Sequence, residues 1–119
     1  MKSHYTYIAD LAQQVEIPTN GILTRTLYVD DWVKVVVFGF DAGQELSEHT
    51  ASTPALLHVL RGEAQLTLGH DSREAGAGTW AYMPANLPHS IKARTPVVLL
   101  LLLLKQPKPT TSQQDQSQA

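Results

Sequence analysis

The chain has 119 residues, of which 43% are hydrophobic and 17% are charged, with a formal net charge of −2 and no cysteine. This length fits one domain, and the charge gives no electrostatic footprint for nucleic acid. Without cysteine there is no disulfide scaffold, thiolate metal site or cysteine nucleophile, so a metal would need histidine, carboxylate or backbone oxygen ligands. The histidines that could supply such ligands are His4, His49, His58, His70 and His89.

The N-terminal region carries a weak helical signal. Leu11 and Val15 lie four residues apart, which predicts one or two helical turns between Ile8 and Val15. The first ten residues contain no apolar stretch of the kind that a secretory signal needs. The default expectation is a cytoplasmic protein with no membrane partner.

From Ile22 onward, short apolar runs alternate with turn residues, which is typical of strands. Many short strands at this spacing predict an all-β sandwich or barrel. Residues 41–43, 69–71 and 74–78 are predicted as turns. The predicted strands cover residues 22–29, 32–40, 55–60, 63–68, 79–83, 89–94 and 97–104.

The last predicted strand and the segment after it differ sharply in composition. Residues 97–104 form an apolar run of eight, far shorter than the roughly 20 residues of a membrane span, so we expect a strand that is buried on both faces. Residues 105–119 contain five glutamines and two prolines, which predicts a disordered polar tail. The folded domain is therefore expected to cover residues 1–104.

Two spacings of glycine and histidine carry more specific information. In the first, five residues separate Gly43 from His49, and Gly62 follows after twelve more. In the second, five residues separate Gly78 from Pro84, and His89 lies five positions beyond that proline. Over residues 43–62 and 78–93 these motifs resemble the two motifs of the cupin family. The resemblance implies an all-β cupin double-stranded β-helix, or jelly-roll barrel, with both motifs facing one cavity. The short N-terminal helical turn predicted above would precede this barrel.

The resemblance also implies a metal site of three histidines and one glutamate, of which this chain keeps part. His49 and His89 occupy two ligand positions, whereas Ala51 and Ala55 stand at the positions of a histidine and the glutamate. A divalent transition metal such as Zn, Fe, Mn or Ni would then be held by His49 and His89 and completed by water or by other groups. Asn86 replaces a motif glycine, and asparagine is the residue best able to replace glycine in a left-handed turn.

Other residues of the sequence could add to this site. His58 is a weak metal candidate because its odd offset from Ala55 places it on the opposite strand face unless a bulge intervenes. Glu48 neighbours His49 and should also point away, while Glu45 is expected in a loop from which it could reach inward. The aromatic residues that either line the ligand cavity or fill the core are Phe38, Phe40, Trp80 and Tyr82.

The sequence is compatible with three functions. The first is binding of a small ligand through His49 and His89, either with a divalent metal or as a metal-free ligand-binding or sensor protein. The second is a metal-dependent cupin enzyme of dioxygenase or isomerase type, and the third is metal-free catalysis with a histidine base, normally aligned by a carboxylate. Because small cupins often dimerise and the final strand is very apolar, a homodimer is expected.

Overall fold

The computed structural model describes residues 4–106, and the greater part of the predicted polar tail, residues 107–119, lies outside that range. Within residues 4–106 the chain forms one short 3-10 helix followed by nine strands. The elements are the 3-10 helix Leu11–Gln14, β1 Ile22–Val29, β2 Val33–Phe40, β3 Glu45–His49, β4 Ala55–Arg61, β5 Ala64–Leu68, β6 Asp71–Ala75, β7 Trp80–Met83, β8 His89–Ala93 and β9 Val97–Leu104.

The strands form two antiparallel sheets that pack face to face. The larger sheet has the order β1-β2-β9-β4-β7, and the smaller has the order β3-β8-β5-β6. Their facing sides enclose one apolar core that includes Phe40, Leu57, Leu66, Ile91 and Leu99. This arrangement confirms the predicted all-β jelly-roll barrel. No helix among residues 4–106 has the length and apolar character of a membrane span.

Strand β9 lies at the centre of the larger sheet, between β2 and β4. Val97 and Leu99 point into the core, while Val98 and Leu100 on the other side of the strand are also buried. Side chains alternate between the two faces of a strand, so an apolar residue is needed at every position of this half. The predicted burial on both faces therefore holds for the first half of β9, and its second half is partly buried.

The N-terminal segment packs across the outer face of the larger sheet. The carbonyl of Gln14 accepts a hydrogen bond from Arg25 Nη1 at 2.9 Å, and a Cβ at Gly39 would lie 2.8 Å from the Glu16 carbonyl oxygen. In place of the helical turns predicted over 8–15, the segment forms only a four-residue 3-10 helix. At its start, the Asp10 side chain accepts a hydrogen bond from the backbone N–H of Ala12. Contact with the sheet, rather than helical periodicity, fixes this segment.

Two strands lie where the sequence predicts loops or turns. β3 begins at Glu45, which pairs with Lys92 and is therefore not in a loop. β6 includes Glu74, which was expected in a turn, and it joins β5 through a two-residue hairpin at Gly69 and His70. Both are edge strands of the smaller sheet, and their exposed polar side chains give no apolar pattern to recognise.

Candidate metal and ligand site

The two motif histidines are neighbours across strands β3 and β8. His49 pairs directly with His89 in the antiparallel register. Their ring centroids are 4.2 Å apart, and the ring planes are inclined by 59°. His49 is exposed and His89 is half-buried, so the pair lies where the apolar interior meets solvent.

A bulge in β3 puts His49 beside His89. Leu46 pairs with Ile91, yet the next pair is His49 with His89, so three steps along β3 match two along β8. Without the extra residue, Glu48 would share the inner face with Leu46, and His49 would point outward. Leu46 and His49 instead line the same cavity. Glu48 is exposed.

The turn before β8 is fixed by backbone geometry. Asn86 has a φ of +68°, which confirms the left-handed conformation predicted for it. Its N–H donates to the Ala51 carbonyl at 2.7 Å, so the turn of the second motif is bonded to the chain of the first.

The first motif ends at Gly62, a position that requires glycine. Its φ is +89°, and a Cβ there would collide with the Pro96 carbonyl.

Backbone carbonyls orient both imidazole rings. His49 Nδ1 lies 2.8 Å from the Ser47 carbonyl oxygen, and His89 Nδ1 lies 2.8 Å from the Leu87 carbonyl oxygen. A carbonyl can only accept, so each neutral ring carries its hydrogen on Nδ1 and leaves a lone pair on Nε2. Among residues 4–106 neither Nε2 has a hydrogen-bond partner. A histidine whose other nitrogen donates to an oriented oxygen is the usual form of a metal ligand.

The pair borders a cavity of about 40 Å³ between the two sheets. A water molecule occupies about 30 Å³ in the liquid, so the cavity accepts an ion or a few atoms. Apart from the two histidines its walls are mainly apolar. The other lining residues are Phe38, Leu46, Leu57, Leu66, Met83, Ser90, Ile91, Leu99 and Leu101.

The donor set fits a transition metal in part. Two imidazole Nε2 atoms are suitable ligands for Zn, Fe, Ni or Cu. Ala51 and Ala55 supply no ligand, and within the described part of the chain no three side chains of the His, Asp or Glu type gather to hold an ion. An ion held by His49 and His89 would therefore take its remaining ligands from water, from a small molecule or from a different type of side chain.

The remaining candidates are divided between the cavity, the core and the outer surface. Phe38 lines the cavity, while Phe40 is fully buried in the core with its ring centroid 6.0 Å from that of Phe38. Trp80 and Tyr82 do not line the cavity, which corrects the expectation from sequence: they are 60% and 50% exposed on the outer face of β7. His58 is the cross-strand neighbour of Trp80 on that outer face, away from the histidine pair.

Strand alternation explains this correction and identifies Met83 as the residue of β7 that faces the cavity. On β7, Met83 is buried and lines the cavity, so Trp80 and Tyr82 must face the other way. Alternation places Trp80 and Tyr82 on one face of this four-residue strand and Met83 on the other, but it does not say which face points inward. Only its pairing with β4 decides between them, and that pairing places Met83 opposite Ala55.

The fold and the motifs together define a cupin. The family model for the cupin domain matches residues 36–103, more than half of the chain, and the chain belongs to this family. Comparison with curated proteins finds no significant match.

Solved structures agree with this assignment. A conserved protein of unknown function from Streptococcus pyogenes is 29% identical with a TM-score of 0.77, and the match covers 89% of this chain and 93% of that one. A cupin superfamily protein from Desulfitobacterium hafniense is 26% identical with a TM-score of 0.76, over 81% of this chain and 88% of that one. A cupin 2 conserved barrel domain protein from Leptotrichia buccalis is 30% identical with a TM-score of 0.75, over 80% of this chain and 46% of that one.

Proposed function

We propose that this cupin binds a divalent transition metal, together with a small ligand, through Nε2 of His49 and His89. The observation that carries the proposal is the pair of unpartnered Nε2 atoms on two rings that backbone carbonyls already orient. Such orientation reduces the ordering that binding would otherwise require. A bound ion would supply a Lewis acid with open coordination positions, and the two histidines would hold it at the cavity.

The size of the cavity favours binding of a small group over turnover of an organic substrate. Ordinary ligand pockets measure about 300–1,000 Å³, whereas this one measures about 40 Å³. A dioxygenase or isomerase needs room for a substrate beside the metal. Metal-free catalysis by a histidine base is less favoured, because the Nδ1 partners of His49 and His89 are backbone carbonyls and not carboxylates.

Metal-free binding of a small ligand is the second candidate function. Ala51 and Ala55 at two ligand positions of the family pattern favour it. The ligand would then be a small molecule that donates hydrogen bonds to the two Nε2 lone pairs and places its apolar part against the cavity wall.

Titration of chelator-treated protein with Zn²⁺ and Ni²⁺ by calorimetry tests the metal proposal. We expect one ion per chain, and His49→Ala or His89→Ala should weaken binding by about tenfold or more, since even outer-shell partners of a metal contribute 10–100-fold. His58→Ala is the matched control and should bind as wild type does, because His58 lies on the outer sheet face. If wild type binds neither ion, the proposal of a divalent metal is wrong.

We also propose that the protein is a homodimer formed through the outer face of the larger sheet. Trp80 and Tyr82 expose apolar surface there, and Tyr5 and Tyr7 are 86% and 78% exposed. Residues 4–9 make no backbone hydrogen bond to the rest of the described chain. A second copy would cover these aromatic residues and pair the free backbone of this segment, which supports a second copy as the occupant of this face.

A further inference from the structure

The cavity contains one more side chain with a donor atom of use to a metal. Apart from the histidines, Met83 and Ser90 are the cavity-lining residues that carry a side-chain sulfur or oxygen. Ser90 pairs with Thr67 and lies between His89 and Ile91 on β8. Because Ile91 is a core residue, strand alternation turns the Ser90 hydroxyl away from the cavity. The thioether of Met83 is then the remaining donor.

Met83 faces the position at which the family motif has a carboxylate. Ala55 stands where the family motif has glutamate, and Met83 is its direct cross-strand partner on the inner face. Direct partners have Cβ atoms about 4.5–5.5 Å apart, so the space left by the short Ala55 side chain is adjacent to Met83. Met83 is 2% exposed, and its unbranched side chain adapts readily to such a space.

The softness of the Met83 sulfur and the absence of charge on the three donors both favour Cu(I). Thioether sulfur is a soft ligand that selects Cu(I), while imidazole nitrogen accepts Cu(I) as well as Zn²⁺. All three donors are neutral, and no carboxylate is present at Ala55 to balance a second positive charge. Moving an ion from water to a site with apolar walls costs free energy, and this cost rises with the square of the charge. A monovalent ion is therefore disfavoured less than a divalent one.

We propose that His49, His89 and Met83 form a Cu(I)-selective site, with the Met83 sulfur as third ligand. This inference rests on the proposed metal binding at the same two histidines. It adds a ligand outside the family pattern and tighter binding of the soft ion Cu(I) than of the divalent ions at the same histidines.

Competition for Cu(I) with a chromophoric chelator, under anaerobic reducing conditions and with the full-length protein, tests the proposal. Wild type should bind one Cu(I), and Met83→Leu should weaken that binding by about tenfold or more while Zn²⁺ affinity stays within about twofold. Met83→Leu nearly conserves volume, which cores tolerate. Leu57→Ile is the matched control, since it alters the cavity wall without removing a donor, and it should keep wild-type Cu(I) affinity.

X-ray absorption at the copper edge gives an independent readout. The chain has no cysteine and two methionines, Met1 and Met83, so a sulfur neighbour that disappears in Met83→Leu can only be Met83. Unchanged Cu(I) affinity in Met83→Leu, or the absence of a sulfur neighbour in wild type, overturns the inference and leaves the histidine site standing. Failure of wild type to bind either Cu(I) or Zn²⁺ would remove both metal proposals and favour the metal-free candidate.

Discussion

Single atoms decide what the candidate site can do. A carbonyl at each Nδ1 leaves both Nε2 atoms as acceptors, and one left-handed residue connects the turn of the second motif to the chain of the first. Asn86 is that residue, and its N–H reaches the Ala51 carbonyl. Ala51 and the turn are thus parts of one small structure.

Substitution of Asn86 tests this turn. Asn86→Ala should lower the free energy of unfolding by about 1–2 kcal/mol, because a left-handed backbone is unfavourable by that amount for most L-residues. Asn86→Gly should leave stability nearly unchanged, since glycine adopts positive φ freely. Urea denaturation of the three proteins measures the difference, and equal stability of the two variants would contradict the role given to φ.

At the scale of elements, irregularities in the strands matter as much as the strands themselves. The bulge in β3 turns His49 inward, and the two-residue hairpin after Leu68 returns the chain as β6. At the β1–β2 hairpin, Asp30 accepts from Tyr28 Oη at 2.7 Å and from the N–H groups of Trp32 and Val33 at 2.8 and 3.0 Å. One carboxylate therefore shapes that turn.

The stability of this hairpin should depend on pH at both extremes. The hydrogen bond from Tyr28, with those from Trp32 and Val33, holds the pKa of Asp30 below its usual value, and the bond to Asp30 raises the pKa of Tyr28. The fold thus favours ionised Asp30 and protonated Tyr28. Their contribution is fully present between about pH 4 and pH 10. It is lost as pH falls through the lowered Asp30 pKa or rises through the raised Tyr28 pKa.

The difference in unfolding free energy between wild type and Asp30→Asn, measured from acid to alkaline pH, checks this window. We expect the difference to shrink below about pH 4. The loss at high pH should be absent from Tyr28→Phe. A difference that stays constant over the whole acid range would contradict the account.

Across the whole molecule, strands with apolar side chains could be predicted from the sequence, whereas polar edge strands could not. Strands β1 and β9 were predicted with their observed bounds because charged residues follow both apolar runs. The polar edge strands β3 and β6 were missed because they bury little apolar surface. Within the site, motif spacing identified His49 and His89, but pairing between strands decides which side faces inward. The bulge and the inward position of Met83 were therefore beyond prediction from the sequence.

Light scattering after size exclusion tests the proposed dimer. Two chains of 13.1 kDa each should migrate together, and Tyr82→Glu should produce monomers because it places a charge in the apolar interface. Arg73→Glu, on exposed edge strand β6 of the smaller sheet, is a control that should remain dimeric. Wild type with only the mass of one chain would refute the dimer.

The anchoring of the two rings has a consequence for how this sequence can change over time. The groups that hold Nδ1 of His49 and His89 are main-chain carbonyls of Ser47 and Leu87, which every amino acid possesses. The exposed side chain of Ser47 can therefore change without loss of this hydrogen bond as long as the backbone keeps its path, whereas the Leu87 side chain packs against the core and is more constrained. The orientation of the pair thus depends on the backbone and not on the chemistry of the side chains at positions 47 and 87, while the histidines themselves have no substitute.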